Sequence, residues 1–268
     1  MELRHRALEV LCLSDPEEKA AATLDMYARQ ALYSIAPQAP ALPDPAPDLP
    51  GRPQRPELRH HTAVARRSPA TPEGRAVLIH AIAHIEFNAI NLALDAVWRF
   101  DGMPEQYYHD WLLVAAEEAK HFRLLRAHLR EHLGHDYGDF PAHQGLWTMC
   151  EKTAHDVVAR MALVPRTLEA RGLDATPQIQ HKLRNTRAPD ALAAVDILDI
   201  ILREEVGHVA IGNHWYRWLC GREGLDPETH YLALTQRYEA PRLRPPFNER
   251  ARRAAGFSDA EMAWLQQI

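Results

Sequence analysis

The chain has 268 residues, a formal net charge of −5 and 46% hydrophobic residues, so it can bury a sizeable core, and its mild acidity argues against a general nucleic-acid binder. It lacks an apolar run of about 18 residues, so no membrane span is expected. Three widely separated cysteines form no disulfide framework and residues 1–5 show no secretory signal, which together predict a cytoplasmic protein.

Residues 1–69 are predicted to form N-terminal helices and a Pro-rich arm that packs on the rest of the protein. Two short helical patterns occupy residues 2–34 and meet at Ser14-Asp15-Pro16-Glu17, where an N-cap residue precedes an early proline. Residues 37–56 carry eight prolines, which exclude regular helix and predict an extended, polyproline-like stretch. We interpret this stretch as a spacer, and the alternative is an arm that wraps the bundle or a partner subunit.

Four long amphipathic segments and the lack of period-2 patterning predict an all-α fold: a four-helix bundle at 70–221, with a C-terminal extension at 222–268 that holds one or two short helices. The breaks between the segments carry Gly and Pro, as helix ends commonly do. The predicted helices cover about 73–99, 104–133, 144–171 and 190–220, with a shorter helix near 175–186.

One short pattern, Glu-x-x-His, occurs on both the second and the fourth helical segments. The two copies are Glu118-Ala-Lys-His121 and Glu205-Val-Gly-His208. Residues three apart share one face of a helix, so both side chains of each pair point the same way. Burying two such pairs of polar side chains costs free energy unless a bound group interacts with them. A pair of metal ions is the group that fits this pattern best.

The first and third segments each place a lone glutamate on an apolar stripe. Glu86 lies on a stripe that includes Ile85, and Glu169 lies on the corresponding edge of the third segment. Glu86 precedes Glu118 by 32 residues and Glu169 precedes Glu205 by 36, as expected of two duplicated helical hairpins. Two alternatives are solvated charges on the helix surface and a buried polar cluster without metal.

Four residues near these positions have two interpretations each. Pro165, one turn before Glu169, predicts a kink that either opens the bundle to a substrate or serves packing. Gly207 and Gly212 either give a ligand access or allow close helix packing. His84 is expected to be a surface or supporting group that points away from the metals, because two residues rotate by about 200° on a helix.

Five segments carry a resemblance to known proteins: Ala70-Thr71-Pro72-Glu73-Gly74-Arg75, His84-Ile85-Glu86, Glu117-Glu118-Ala119-Lys120-His121-Phe122, Leu168-Glu169-Ala170-Arg171-Gly172-Leu173-Asp174 and Leu202-Arg203-Glu204-Glu205-Val206-Gly207-His208. Over about residues 73–220 the chain resembles the ferritin-like di-iron carboxylate superfamily. Within that superfamily it is similar to a bacterial family of ferritin-like proteins of unknown function.

The resemblance implies two bound iron ions, with manganese or a mixed Mn/Fe pair as the alternative. It implies that Glu86, Glu118 and His121 hold one ion and that Glu169, Glu205 and His208 hold the other, with Glu118 and Glu205 bridging. It also suggests that Glu117 orients His208 and that Glu204 orients His121. The usual residue at those two positions is Asp, and the alternative is that both glutamates face solvent.

The resemblance further implies an oxidoreductase or hydroxylase that depends on O2 or peroxide. Its substrate would be a small molecule or a modified nucleotide, and its partners an electron donor and a second copy in a homodimer. The alternatives are metal storage with ferroxidase activity, a Mn catalase-like activity and a metal-free binding module. The arms at 1–70 and 221–268 argue against a plain cage subunit, and the superfamily motif does not identify a substrate.

Overall fold

The computed structural model of the protein describes residues 1–38, 40, 42, 48–60, 63 and 67–267. Within these residues the chain is helical and has no strand, so the predicted all-α fold is confirmed. The helices are α1 (Leu3–Leu11), α2 (Pro16–Ala28), α3 (Pro72–Arg99), α4 (Glu105–His132), α5 (Gly145–Lys152), α6 (Val157–Leu163), α7 (Ala170–Thr186), α8 (Pro189–Glu223), α9 (Pro227–Arg237), α10 (Glu249–Ala254) and α11 (Asp259–Leu265).

The chain divides into two compact units. The first unit comprises Met1–Trp147 and Thr186–Ile197, and the second comprises Thr148–Asn185 and Leu198–Ile268. Helices α1 to α4 therefore belong to the first unit, whereas α6, α7 and α9 to α11 belong to the second. Helix α8 begins in the first unit and continues into the second.

Helix α3 is buried along most of its length in the first unit. Thr71 caps it by accepting a hydrogen bond from the Gly74 amide, and Pro72 follows at the first helical position. Within the described residues α3 is the one helix that is long and apolar enough to cross a membrane. Because 72% of its most apolar window is buried inside the protein, it has the character of a core helix.

The predicted apolar stripe on this helix was wrong at Ile85, which is 48% exposed. The buried face includes Ile79, Ala83 and Phe87, and Glu86 lies on the same side. Helix α3 carries apolar residues on nearly every side, so its hydrophobic periodicity alone does not identify the face that is buried. The predicted burial of Glu86 is confirmed, although Ile85, which was assigned to the same apolar stripe, is exposed.

The described part of the Pro-rich stretch packs on its own chain. The Gly51 amide donates to the Leu11 carbonyl over 2.9 Å, and Lys19 Nζ of α2 donates to the Gly51 carbonyl over 2.8 Å. Burial lowers the pKa of Lys19 to about 7. Nearer the start of the same stretch, the Pro40 carbonyl accepts a hydrogen bond from Trp98 Nε1 of α3 over 3.1 Å. Three of the eight prolines, at positions 43, 45 and 47, lie outside the described residues.

The predicted third helix over 144–171 was wrong in its bounds. A turn separates α5 from α6, and the Asp156 side chain caps α6 by accepting from the Ala159 amide over 2.9 Å. The buried Arg160 side chain stabilises this turn, since it donates to the Cys150 carbonyl over 2.6 Å and to Thr153 Oγ1 over 2.9 Å. The break therefore depends on a buried arginine rather than on a glycine or proline.

The predicted end of that helix at residue 171 was also wrong, because α7 continues through Gly172 to Thr186. Glycine in a helix interior costs only about 1 kcal/mol relative to alanine, and packing of the rest of the helix offsets that amount. The chain leaves the helix at Arg187, which has a φ of 56°, and α8 begins at Pro189. The separate helix predicted near 175–186 is thus the second half of α7.

Between α6 and α7 the helix widens into a π-helical segment, Val164–Glu169. Pro165 has no N–H to donate, and the wider turn accommodates its ring inside a continuous helix. Thr167 Oγ1 donates to the Ala162 carbonyl over 2.7 Å, which satisfies one acceptor that the wider turn leaves open. The predicted kink at Pro165 therefore takes the form of a π turn.

The ring of Pro165 packs directly against Gly212 of α8. A Cβ atom added at Gly212 would lie 2.5 Å from Pro165 Cβ, so only glycine allows this approach. The close-packing interpretation of Gly212 is confirmed. Gly207 differs, because a Cβ atom there would meet nothing within 4 Å.

The second unit has its own hydrophobic core, in which α7 and α8 meet the C-terminal helices. Three short helices, α9 to α11, form the tail, against the one or two that were predicted. The buried members of this core are Ala170, Leu173, Val209, Leu243, Ala251, Ala255, Phe257, Met262 and Leu265.

Candidate metal centre

The first unit brings together three of the predicted ligands in its interior. Glu86 comes from α3, whereas Glu118 and His121 lie one turn apart on α4, and all three side chains are buried. His121 Nδ1 lies 3.2 Å from Glu86 Oε2 and 3.5 Å from Glu118 Oε2. One ligand atom from each of the three lies within 4.8 Å of the others. The predicted Glu-x-x-His geometry is thus present in this unit.

The charges of this group depend strongly on one another. Burial and the neighbouring Glu118 carboxylate raise the pKa of Glu86 to about 7. Burial by itself lowers the pKa of His121, but hydrogen bonds to Glu118 and Glu86 and their negative charges outweigh it and raise that pKa to about 11. Two carboxylates around one imidazole leave an excess of buried negative charge, which a proton or a cation can neutralise.

The donor set fits a metal ion. Two carboxylates and one imidazole nitrogen converge, and oxygen and nitrogen atoms of these kinds are common metal ligands. Because the donors come from two neighbouring helices, their positions are fixed by helix packing and not by a loop. The group can therefore hold a metal ion.

The second unit repeats the pair on α8. Glu205 and His208 are buried, and His208 Nδ1 lies 3.5 Å from Glu205 Oε1, the separation also found between Glu118 and His121. Within the part of the chain that the structure describes, Glu205 Oε2 has no hydrogen-bond partner. A buried carboxylate oxygen without a partner is unfavourable, and a cation is one group that satisfies it.

Glu169 lies at the last residue of the π segment and is also buried. Among the described residues of the second unit, it joins no group of three ligand atoms within 4.8 Å of one another. Glu117 and Glu204, the predicted supporting residues, are half-buried, and Glu204 Oε1 lies 3.9 Å from Arg203 Nη2. The roles of these three glutamates stay predictions.

A second buried cluster, which was not predicted from the sequence, lies along α3 next to the group of Glu86, Glu118 and His121. Of the two alternatives for His84, the surface position was wrong, because its ring is buried and its Nδ1 lies 2.9 Å from the Tyr137 hydroxyl. His80 Nε2 accepts a hydrogen bond from the Gly138 amide over 2.9 Å. The Tyr137 ring packs edge-to-face on Phe122, with ring centroids 5.0 Å apart. Local pattern could not reveal this cluster, since its partners lie in the loop after α4.

We expect the stability of the protein to fall as the pH drops from about 6.5 to about 4, in part because of His80. Burial lowers the pKa of His80 to about 4, although Asp139 and Asp136 oppose this and His135 adds to it. As the pH falls, the unfolded chain binds the proton first, near its ordinary pKa of about 6.5. His80 makes its full contribution to the free energy of unfolding above pH 6.5. About 3 kcal/mol of that contribution is lost when the pH reaches 4.

Urea unfolding at several pH values, followed by circular dichroism, checks this prediction. The His80→Gln variant should lose less stability than the wild type between pH 6.5 and pH 4. His132→Gln is the control, because His132 is exposed on α4. Equal losses in His80→Gln and the wild type would contradict the assigned role of His80.

Comparison with known proteins gives a family but no activity. The model of a family described as "Protein of unknown function (DUF455)" matches residues 12–263. The chain is 45% identical over 269 residues to an uncharacterized protein of Haemophilus influenzae (strain ATCC 51907 / DSM 11121 / KW20 / Rd), an alignment that covers 95% of this chain and 90% of that protein. No solved structure matches the chain. The chain therefore belongs to the family described as Protein of unknown function (DUF455).

Proposed function

We propose that the chain is a ferritin-like protein with a dinuclear metal centre, most simply di-iron, that uses O2 or peroxide to oxidise a substrate. The buried group of Glu86, Glu118 and His121 is the observation that carries this proposal. The same Glu–His pair recurs on α8 with the same 3.5 Å separation and an unsatisfied carboxylate oxygen on Glu205. A repeated, buried set of metal-binding groups supports a pair of ions rather than a single one.

In this proposal six side chains hold the two ions, and α3, α4, the α6–α7 helix and α8 form a ferritin-like bundle. The ligands are Glu86, Glu118, His121, Glu169, Glu205 and His208, with Glu118 and Glu205 as bridges. Glu117 and Glu204 are assigned to orient His208 and His121. Support for this arrangement comes from the matching spacing of the two halves in the sequence and from the burial of all six ligands.

Bound iron would supply electrons and open coordination positions for the reduction of O2 or peroxide. The protein keeps the donor atoms away from water, since the side chains of Glu118 and His121 are fully buried. His121, whose pKa of about 11 keeps its ring protonated at neutral pH, would give up that proton when a cation binds, because a metal ion binds the neutral imidazole. The proposed substrate is a small molecule or a modified nucleotide. The proposed partner is an electron donor in the cytoplasm, and the proposed assembly is a homodimer.

Elemental analysis of untagged protein, loaded anaerobically with Fe(II), tests this proposal. We expect about two iron ions per chain, as in other bundles with two Glu-x-x-His motifs. Glu118→Ala and Glu205→Ala should each lower the iron content at least to half. Glu131→Ala is the matched control, because Glu131 lies exposed on the same helix as Glu118. A folded wild-type protein that binds neither iron nor manganese would contradict the proposal and favour a metal-free binding module.

The loaded protein also separates the three metal-dependent functions. A monomer or dimer that consumes O2 or peroxide supports an oxidoreductase. A shell of many subunits that accumulates iron indicates storage with ferroxidase activity. Retention of manganese with release of O2 from peroxide indicates a catalase-like enzyme.

A further inference from the structure

A cavity of about 440 Å³ that is open to solvent lies in the second unit, between α8 and the end of α10. Its lining residues on α8 recur at helical spacing and so form one face of that helix. This face differs from the one that carries His208, because Ala210 is rotated from His208 by about 200°. The lining residues are Ala210, Asn213, His214, Arg217, Trp218, Ala254, Ala255 and Gly256.

Arg217 gives the cavity its positive charge. Its Nη2 donates to Glu261 Oε2 over 3.0 Å, which anchors one edge of the guanidinium group. A Cβ atom at Gly256 would lie 3.5 Å from Arg217 Nη1, which is an ordinary contact distance, so Nη1 lies beside this glycine. Within the described residues Nη1 makes no hydrogen bond. The guanidinium group therefore has a free donor available in the cavity, and arginine suits planar oxyanions such as carboxylates.

Aromatic rings form a second wall of the cavity. Trp218 packs edge-to-face on Trp215, with centroids 5.6 Å apart, and Arg222 covers one face of the Trp218 ring at 5.1 Å. The exposed His214 ring packs on Trp215 at 4.8 Å. Alanine methyl groups complete the lining, so the cavity combines apolar and aromatic surface with one cation. Such a surface suits a flat apolar group that carries a charged end.

The wall around the cation is held in place before any ligand binds. The buried Asn213 uses both ends of its amide, since Oδ1 accepts from Arg166 Nη1 over 2.6 Å and Nδ2 donates to the Ala255 carbonyl over 2.8 Å. Glu261 pairs with Arg217 and so offsets part of its charge. The remaining positive charge matches a singly charged anion better than a doubly charged one.

We infer that this cavity binds a small planar organic anion, with an aromatic carboxylate as its chemical class. Its volume lies within the range of about 300–1,000 Å³ that is typical of small-molecule sites. The carboxylate contacts Arg217, and the ring lies against Trp218 and the alanine methyl groups. This site does not depend on the proposed metal centre, so each can be tested without the other.

Isothermal titration calorimetry with benzoate tests the inference, and benzyl alcohol and inorganic phosphate serve as comparison probes. We expect saturable binding of benzoate to one site and at least tenfold weaker binding of both comparison probes. Arg217→Gln should weaken benzoate binding by about 10–100-fold, as expected for the loss of a charge-assisted hydrogen bond. Arg203→Gln should leave it unchanged, because Arg203 is exposed on the same helix and is not among the residues that line the cavity.

A second variant, Ala254→Leu, narrows the cavity without changing a charge and should weaken benzoate binding by at least tenfold. Unfolding curves of Arg217→Gln and Ala254→Leu establish that both variants are folded. Absence of saturable benzoate binding to the wild type overturns the inference. So does equal binding in Arg217→Gln, or phosphate binding as strong as that of benzoate, which would indicate a site for anions in general.

Discussion

Replacing Arg166 with methionine is expected to lower the free energy of unfolding by about 3–5 kcal/mol, because the change removes the buried charged donor from one carboxylate oxygen of Glu261 and from the amide oxygen of Asn213. The Arg166 side chain is buried in the π segment, where Nη2 donates to Glu261 of α11 and Nη1 donates to Asn213 of α8. Burial alone raises the pKa of Glu261, but the charges of Arg166 and Arg217 outweigh it and lower that pKa. The arginine thus connects three helices of the second unit.

Three aromatic rings surround the Arg166 guanidinium group and increase the expected effect. Its central carbon lies 4.8 Å from the Tyr231 ring centroid, 5.0 Å from that of Phe257 and 5.3 Å from that of Tyr216. Methionine can fill much of this volume, but it supplies neither the charge nor the hydrogen-bond donors.

Urea unfolding followed by circular dichroism measures the effect of Arg166→Met. Arg217→Gln is the control, because Arg217 pairs with the same Glu261 carboxylate but is 38% exposed. For such a solvent-exposed pair we expect a loss below about 1 kcal/mol. Similar losses in the two variants would show that burial of Arg166 does not set the strength of its interactions.

Two glycine-to-alanine changes on α8 are expected to act in opposite directions. Gly212→Ala should lower the free energy of unfolding by about 1–3 kcal/mol, since the added methyl group overlaps the ring of Pro165. Gly207→Ala should raise it by up to about 1 kcal/mol, since a methyl group there meets nothing within 4 Å and alanine favours helix. Both positions lie within one continuous helix, so each variant controls for the other.

Thermal or urea unfolding of the two variants measures this difference. Destabilisation by Gly207→Ala would mean that Gly207 has a role other than helix geometry. Iron content of the same variant tests the interpretation of Gly207 as a route to the metal, because it lies between Glu205 and His208. We expect the iron content to stay at the wild-type level.

Features with local causes could be predicted from the sequence. The bounds of α3, α4 and α8 follow from caps and breakers within a few residues of each end, and all lie within three residues of the prediction. The Glu-x-x-His pairs follow from helix geometry alone, because a spacing of three places both side chains on one face. The Glu86, Glu118 and His121 group combines two such local facts with the packing of α3 on α4.

Features with distant causes could not be predicted. The turn before α6 depends on Arg160, whose partners are carbonyl and hydroxyl groups that become neighbours only after folding. The aromatic surroundings of Arg166 come from α8, α9 and the loop before α11, and no local pattern connects them. The cavity beside Arg217 could not be predicted, because Ala254, Ala255 and Gly256 lie next to α8 only in the folded chain.

The π segment also has a consequence for how the chain can vary. Its hydrogen bonds close i→i+5 rather than i→i+4 loops, so it accommodates one more residue than an α-helical turn. One residue corresponds to about 100° of rotation, so α7 is out of phase with a simple extension of α6. This phase shift places Ala170 and Leu173 in the same core as Val209. A single-residue insertion or deletion in a core helix is usually harmful. At this point of the chain, however, it changes which face of α7 is directed toward the core.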